Sequence, residues 1–139
     1  MQEDLEWLNI TYLDRLDLFE QMLPPDRRRL PNIGCGIGAF LLCAAEKGWD
    51  VWGVEPSVSA CEYARSRGLN VVQGFYPREI AERLGPFDVV HLDHVLEHVP
   101  NPILFLEWIH GSLAPNGVLF ITVPNDFNAF QKTLVESCG

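Results

Sequence analysis

Runs of β-branched and apolar residues alternate with helical patterns along this chain, and this alternation restricts the fold more than any other feature. A short apolar stretch precedes Gly34, and strand-like segments recur at residues 50–55, 69–73, 87–93 and 117–124. Helical patterns of about 10–15 residues separate them. Because parallel strands need right-handed crossovers, the sequence predicts an α/β fold. We expect a doubly wound, mostly parallel sheet of five strands with helices on both faces.

A leading amphipathic helix precedes the first strand. Apolar residues recur every three or four positions over residues 4–23, which is the spacing of one helix face. Two consecutive prolines, Pro24 and Pro25, end the pattern. We therefore assign residues 1–24 to a leading helix. Its apolar positions are Leu5, Leu8, Tyr12, Leu16, Phe19 and Leu23.

Composition favours one domain with an acidic surface. The 139 residues are 47% hydrophobic, so we expect one core and a single domain over residues 1–139. Ten Lys and Arg against nineteen Asp and Glu give a formal net charge of −9, which repels phosphate backbones and anionic lipids. We therefore expect a small-molecule partner, and neither nucleic acid nor membrane.

The cysteines and the targeting signals favour a cytoplasmic protein. Cys35, Cys43, Cys61 and Cys138 show neither CxxC spacing nor the density of a secreted disulfide scaffold, so we interpret them as reduced thiols. The longest apolar run, AFLLCAA, is too short for a membrane span. The acidic start MQEDLEW lacks the basic region of a signal peptide.

Three glycines at alternate positions follow the first predicted strand. Gly34, Gly36 and Gly38 indicate a backbone with positive φ angles or one that another group approaches closely. A helix beginning near Gly38 would point free amides and a partial positive charge at a carboxylate or phosphate. In a parallel sheet, ligands bind at this place, beyond the carboxyl ends of the strands.

The glycine pattern alone fits two cofactors. Read as GxGxG it resembles the first motif of class I S-adenosylmethionine-dependent methyltransferases, and read as GxGxxA through Ala39 it fits a dinucleotide fingerprint. Glu55 ends the second predicted strand and serves either cofactor by accepting hydrogen bonds from ribose hydroxyls.

The second half of the chain carries a family resemblance. The segments FDVVHLDHVLEHVPNP and FLEWIHGSLAPNGVLFITVPN, together with GCGIG, resemble class I S-adenosylmethionine-dependent methyltransferases of the small-molecule type. The likeness runs from Pro31 to Asn125, so residues 31–125 would form the cofactor-binding core. It implies methyl transfer from S-adenosylmethionine to an oxygen, nitrogen or carbon of a small-molecule acceptor.

The resemblance also implies cofactor-binding positions. The glycine loop would wrap the methionine end, Glu55 would hold the ribose, and Pro56 and Phe75 would border the adenine. Two readings from packing stay open, because Gly38 can serve helix packing alone and Phe75 can belong to the core. The implied cofactor-binding residues are Asn32, Gly34, Cys35, Gly36, Gly38, Glu55, Pro56, Gln73, Phe75, Leu92 and Asp93.

The sequence departs from the family pattern in four places. Asn32 stands where an acidic residue usually faces the cofactor's amino group, and Gln73 precedes Gly74 where an acidic residue usually meets the adenine. Pro31 lacks an N–H, so we expect the first strand to start late or to be irregular. The family's C-terminal antiparallel strand pair is missing, so we expect a truncated copy. Its last strand would be an exposed edge, covered by residues 126–138 or by a second chain in a homodimer.

Candidate bases cluster after the fourth predicted strand. A sulfonium methyl is already electrophilic, so the protein must mainly align the acceptor and remove its proton. The resemblance and the chemistry together assign His94, His98 and Asp93 to catalysis, with Glu97 beside them. His91 falls inside a buried strand and is interpreted as structural, and His110 as a partner of a helix dipole.

Two readings from other functional classes remain open. His94, Glu97 and His98 spell HxxEH, a zinc motif of peptidases, although Pro100 leaves room for barely one helical turn. We expect no metal. A domain that binds S-adenosylmethionine without catalysis is the other alternative, because a fold does not by itself establish activity.

Overall fold

A computed structural model describes residues 2–75 and 82–123, with side chains from residue 10 onward. The helices are α1 Gln2–Met22, α2 Ala39–Glu46, α3 Val58–Ser66 and α4 Pro102–Ser112, and a 3₁₀ helix spans Leu96–His98. The strands are β1 Arg29–Ile33, β2 Asp50–Glu55, β3 Val71–Gln73, β4 Phe87–Asp93 and β5 Leu113–Thr122. Among the described helices, none is long and apolar enough to cross a membrane.

The five strands form one parallel sheet in the order β3-β2-β1-β4-β5. This confirms the predicted α/β fold with its doubly wound, parallel sheet. Strand order reverses between β1 and β4, so the first crossovers move one way along the sheet and the later ones move the other way. Within the described residues β5 pairs with β4 alone, which places it at the edge as expected. Residues 126–138, one of the two expected covers of that edge beside a second chain, lie outside the described residues.

Several element boundaries follow local signals. The Ser57 side chain caps α3 by accepting a hydrogen bond from the Ala60 N–H, and Asn101 caps α4 in the same way, with Pro102 in its first turn. The helix expected over residues 76–85 is described only at residues 82–84, which are helical. β5 starts four residues before the predicted strand, and it contains Asn116 at φ 60°.

Pro31 lies inside β1, so the strand does not start late, and the other expected outcome, an irregular strand, is the one observed. β1 pairs with β2 over all five residues, but with β4 only at Asn32 and Ile33. N–H groups alternate sides along a parallel strand, and the Gly34 N–H donates toward β2. The missing N–H of Pro31 therefore falls on the β4 side, which is why that ladder is short.

The buried Asp88 carboxylate bridges the gap that Pro31 leaves. One oxygen accepts the Arg29 N–H at 2.9 Å, and the other accepts Arg27 Nε at 2.8 Å. Asp88 is 6% exposed. Such bonds to a charged group are stronger than neutral ones, so this side chain joins β1 to β4 where the backbone ladder is absent.

Two apolar layers cover the sheet. Helices α1 and α2 pack on one face, where Leu16, Phe19 and Phe40 are buried against Leu30 and Val89. Burial of Leu16, Phe19 and Leu23 confirms the predicted inner face of the leading helix, while Leu5 and Leu8 lie outside the described side chains. Helix α4 covers the other face through Phe105 and Ile109.

His91 is fully buried in the layer beneath α1, which confirms its structural interpretation. Its ring stacks between Phe40 and Phe120, with centroids 4.1 and 5.2 Å away. Arg15 of α1 approaches Nε2 at 3.4 Å, and Asn32 Oδ1 lies 2.9 Å from Nδ1. A guanidinium only donates hydrogen bonds, so Nε2 of His91 is an acceptor. Nδ1 therefore carries the ring proton and donates a hydrogen bond to Asn32 Oδ1. The imidazole is therefore neutral.

Burial gives His91 a measurable effect on stability. Desolvation lowers its pKa from 6.5 to about 4, the Asp93 charge opposing and the Arg15 charge adding to the shift. Between these two pH values the unfolded chain binds the extra proton and the folded chain does not. We expect the free energy of unfolding to fall by about 3 kcal/mol as pH drops from about 6.5 to 4.

Urea denaturation at several pH values measures this effect. His91→Gln should lose that pH dependence relative to the unchanged chain. His110→Gln removes an exposed histidine and should keep it. If the free energy of unfolding changes equally with pH in the unchanged chain and in His91→Gln, His91 is not the source of the pH dependence.

Candidate functional site

A cavity of about 230 Å³ opens at the carboxyl ends of β1, β2 and β4. Four segments that are distant in the sequence meet there: the glycine loop after β1, the end of β2, Phe75 after β3, and the turn after β4. Its lining residues are Gly34, Glu55, Pro56, Phe75, Asp93, His94, Val95 and His98. All but Val95 are residues to which the sequence assigned a site role.

The three glycines of the loop have different reasons to be glycine. All have positive φ, at 78°, 56° and 90° for Gly34, Gly36 and Gly38. A Cβ on Gly34 would lie 2.6 Å from the Asp93 carbonyl oxygen, so this glycine lets the loop approach the β4 turn. A Cβ on Gly38 would lie 2.5 Å from Leu69 Cδ1, which supports the packing reading of Gly38. Only Gly36 of the three faces open space within 4 Å.

Glu55 ties the glycine loop to the start of α3. Its Oε1 accepts the Gly36 N–H at 3.0 Å, and its Oε2 accepts the Ser57 N–H at 2.7 Å. A carboxylate offers about four acceptor positions, so each oxygen retains capacity for a ligand. Sequence reasoning placed Glu55 at the site but did not predict that it holds the loop. Both hydrogen bonds come from backbone N–H groups, which no residue type in the sequence marks.

The turn after β4 carries the candidate bases. His94 has φ 54°, a left-handed conformation that non-glycine residues seldom adopt. Its Nε2 lies 3.6 Å from Asp93 Oδ1, and His98 Nε2 lies 3.7 Å from Glu97 Oε1. The side chains of His94 and His98 are 56% and 75% exposed. Both histidines can therefore meet a molecule that enters from solvent.

A second, apolar cavity of about 380 Å³ adjoins the first. Phe75, Val95 and His98 line both cavities. Phe75 is 72% exposed, so the reading that placed it in the core is wrong. The remaining walls are Val99, Pro100, Phe105 and Trp108.

Six predicted cofactor residues line neither cavity: Asn32, Cys35, Gly36, Gly38, Gln73 and Leu92. Asn32 and Leu92 are fully buried, Asn32 against His91 and Leu92 in the layer beneath α4. Cys35 is also buried, and its sulfur would lie 2.6 Å from a Cβ on Gly53. Gln73 is exposed at the end of β3. Contact of these residues with a cofactor stays a prediction.

The Cys35 thiol is held protonated. Burial raises its pKa to about 12, and the nearby Glu55 charge and Cys61 add to the shift. A thiolate rather than a thiol acts as nucleophile or metal ligand. Cys35 therefore serves the loop by its backbone and by packing.

Two residues at the site were missed by sequence reasoning. Val95 lines both cavities, and a Cβ on Gly34 would lie 2.5 Å from its Cγ2. Thr122 donates its hydroxyl to Asp93 Oδ1 at 2.6 Å. The sequence did offer one signal for Thr122, which is a polar residue at the end of an apolar strand. Because adjacent parallel strands end at one edge of the sheet, such a residue lies near the end of β4.

The HxxEH spacing does not produce the geometry of a helical zinc motif. His94 lies outside the 3₁₀ helix, with a left-handed backbone, so His94 and His98 do not share a helix face. Among the described residues, no three His, Cys, Asp or Glu side chains form a group that could hold a metal ion.

Comparison with known proteins gives a consistent result. The family model described as "Methyltransferase domain" matches residues 4–136. The chain is 32% identical over 119 residues to the ubiquinone biosynthesis O-methyltransferase of Histophilus somni, covering 78% of this chain and 50% of that protein. It is 32% identical over 126 residues to the trans-aconitate 2-methyltransferase of Rhodopseudomonas palustris, covering 86% of this chain and 48% of that protein.

Structural comparison gives the same fold. A SAM-dependent methyltransferase from Archaeoglobus fulgidus superimposes with a TM-score of 0.72 at 24% identity, covering 94% of this chain and 57% of that one. The chain thus spans about half the length of the curated relatives it matches.

Proposed function

Because the chain belongs to the methyltransferase domain family, we propose that it binds S-adenosylmethionine and transfers the methyl group to a small-molecule acceptor. The observation that carries this proposal is the cavity beside the glycine loop, where Gly34, Glu55, Asp93 and His94 meet. The acidic net charge of −9 supports a small molecule rather than nucleic acid as acceptor.

The glycine loop and α2 would hold the methionine end of the cofactor. Gly36 offers open space beside its backbone, so a ligand can approach there without displacing a side chain. Helix α2 begins without a side-chain cap, and the N–H groups of its first turn suit a carboxylate. Glu55 would hold the ribose, and Pro56 and Phe75 would border the adenine.

Glu55 provides the first test of cofactor binding. Each hydrogen bond between its carboxylate and a ribose hydroxyl contributes about 1.5–3 kcal/mol. We expect Glu55→Ala to weaken S-adenosylhomocysteine binding at least tenfold in calorimetry. Glu62→Ala removes an exposed carboxylate of α3 and should leave the dissociation constant unchanged.

A modified ligand separates ribose contact from loop support, since Glu55 also binds the Gly36 N–H. Removing the ribose 2′-hydroxyl from S-adenosylhomocysteine should weaken binding to the unchanged chain but not to Glu55→Ala. If removal of the 2′-hydroxyl weakens binding by the same factor in both proteins, Glu55 acts only by supporting the loop. Tight binding of NAD in place of S-adenosylhomocysteine would instead support the dinucleotide reading.

His94 is proposed as the general base. It lines the cofactor cavity, it is exposed, and Asp93 lies beside it to stabilise the imidazolium that forms. General-base catalysis contributes about 10²–10⁴-fold. His98 and Asp93 are the other proposed catalytic residues, and His98 also borders the apolar cavity.

A turnover assay tests the base. With S-adenosylmethionine and catechol as a small hydroxyl acceptor, we expect His94→Ala to lower kcat about 10²-fold. Its affinity for S-adenosylhomocysteine should stay the same, and His110→Ala should match the unchanged chain in both measurements. Equal turnover in His94→Ala would reduce His94 to cavity lining. Cofactor binding without turnover of any acceptor in a panel of small molecules would favour the non-catalytic module.

Pairing along β5 is the proposed route to a homodimer. Within the described residues this strand pairs on one side only, and Leu119, Phe120 and Ile121 carry no charge that would block a second strand.

The described cysteines, Cys35, Cys43 and Cys61, are thiols, which supports the cytoplasm as the place of action.

Light scattering over a dilution series tests the dimer. We expect a mass near twice 15.7 kDa at high concentration. Ile121→Lys places a charge on the edge strand and should give a monomer, whereas Ile103→Lys on exposed α4 should not. A monomer at every concentration would contradict the pairing.

A further inference from the structure

We propose that Thr122 is a positioning residue for the methyl-transfer step, holding Asp93 and His94 in the orientation that the reaction needs. This inference rests on the proposed function. It assigns a role to a residue that lies on β5 and lines neither of the two cavities described above.

The first contact runs from the Thr122 side chain to Asp93. Thr122 Oγ1 lies 2.6 Å from Asp93 Oδ1 and 3.3 Å from the Leu92 carbonyl oxygen. A hydroxyl has one proton to donate, and the shorter distance indicates that the carboxylate receives it. The same Oδ1 lies 3.6 Å from His94 Nε2. One carboxylate oxygen thus stands between the Thr122 hydroxyl and the His94 imidazole.

The second contact runs from the His94 backbone to Thr122. The His94 N–H donates to the Thr122 carbonyl oxygen at 3.0 Å. This bond holds His94 in its left-handed conformation, with φ 54°, which the residue would otherwise seldom adopt. Thr122 therefore fixes two consecutive residues of the turn, one through its side chain and one through its backbone.

The proposed step uses both contacts. Asp93 faces Nε2 of His94 and favours the proton on that nitrogen, so Nδ1 is left to accept a proton from the acceptor hydroxyl. The acceptor oxygen forms the bond to the methyl carbon as the carbon–sulfur bond breaks. The electron pair of that bond stays on sulfur, giving S-adenosylhomocysteine, and the proton rests on His94 beside the Asp93 charge.

Paired substitutions at Thr122 test the hydroxyl alone. Thr122→Val keeps the β-branched shape and the backbone carbonyl but removes the donor, whereas Thr122→Ser keeps the donor. With S-adenosylmethionine and catechol, we expect Thr122→Val to lower kcat about tenfold and Thr122→Ser to restore most of it. The dissociation constant of S-adenosylhomocysteine should be unchanged in both variants.

A double substitution distinguishes positioning from general support of the fold. If Thr122 acts through His94, Thr122→Val should change kcat less than twofold in a His94→Ala background. Full additivity, or an unchanged kcat in Thr122→Val, would overturn the inference while leaving His94 as the base. No effect of His94→Ala, or no turnover by the unchanged chain, would remove the proposed base and the inference with it.

Discussion

Two paired positions at the centre of the sheet join the halves of this molecule. Asn32 and Ile33 of β1 lie opposite His91 and Leu92 of β4, and the backbone ladder between these strands goes no further. The glycine loop starts at Gly34, directly after β1, and the candidate bases start at Asp93, the last residue of β4. The distance between the glycine loop and the candidate bases is therefore set by this short pairing.

Side chains reinforce the pairing on both sides of the Pro31 gap. Asp88 binds the backbone of Arg29 before the gap, and His91 donates to Asn32 after it. Both Asp88 and His91 are buried, where a polar group without a partner is costly. Buried polar side chains thus help to link β1 to β4, whereas backbone hydrogen bonds link the other strands of the sheet.

Local periodicity was enough to predict the sheet and most of its helices. Glycine spacing and the acidic end of β2 also located the cavity beside the glycine loop, because carboxyl ends of parallel strands must share an edge. What the sequence did not reveal were partners far apart in the chain, such as Asn32 with His91 and Arg29 with Asp88. A family pattern assigns Asn32 to the cofactor, whereas its side-chain oxygen is bound to a buried histidine 59 positions away. Such pairings depend on register between non-adjacent segments, which no local pattern encodes.

The turn that carries the candidate bases depends on β5, one of the two edge strands of the described sheet. Thr122 holds Asp93 and His94 from β5, and β5 is itself held on one side only within the described residues. A strand paired on one side frays more readily than a central one, because each of its ladder bonds opens toward solvent. Any segment that pairs along β5 would therefore also steady Asp93 and His94. The edge of the sheet and the turn after β4 therefore move as one unit, although within the described residues β5 lines no part of the cavity beside the glycine loop.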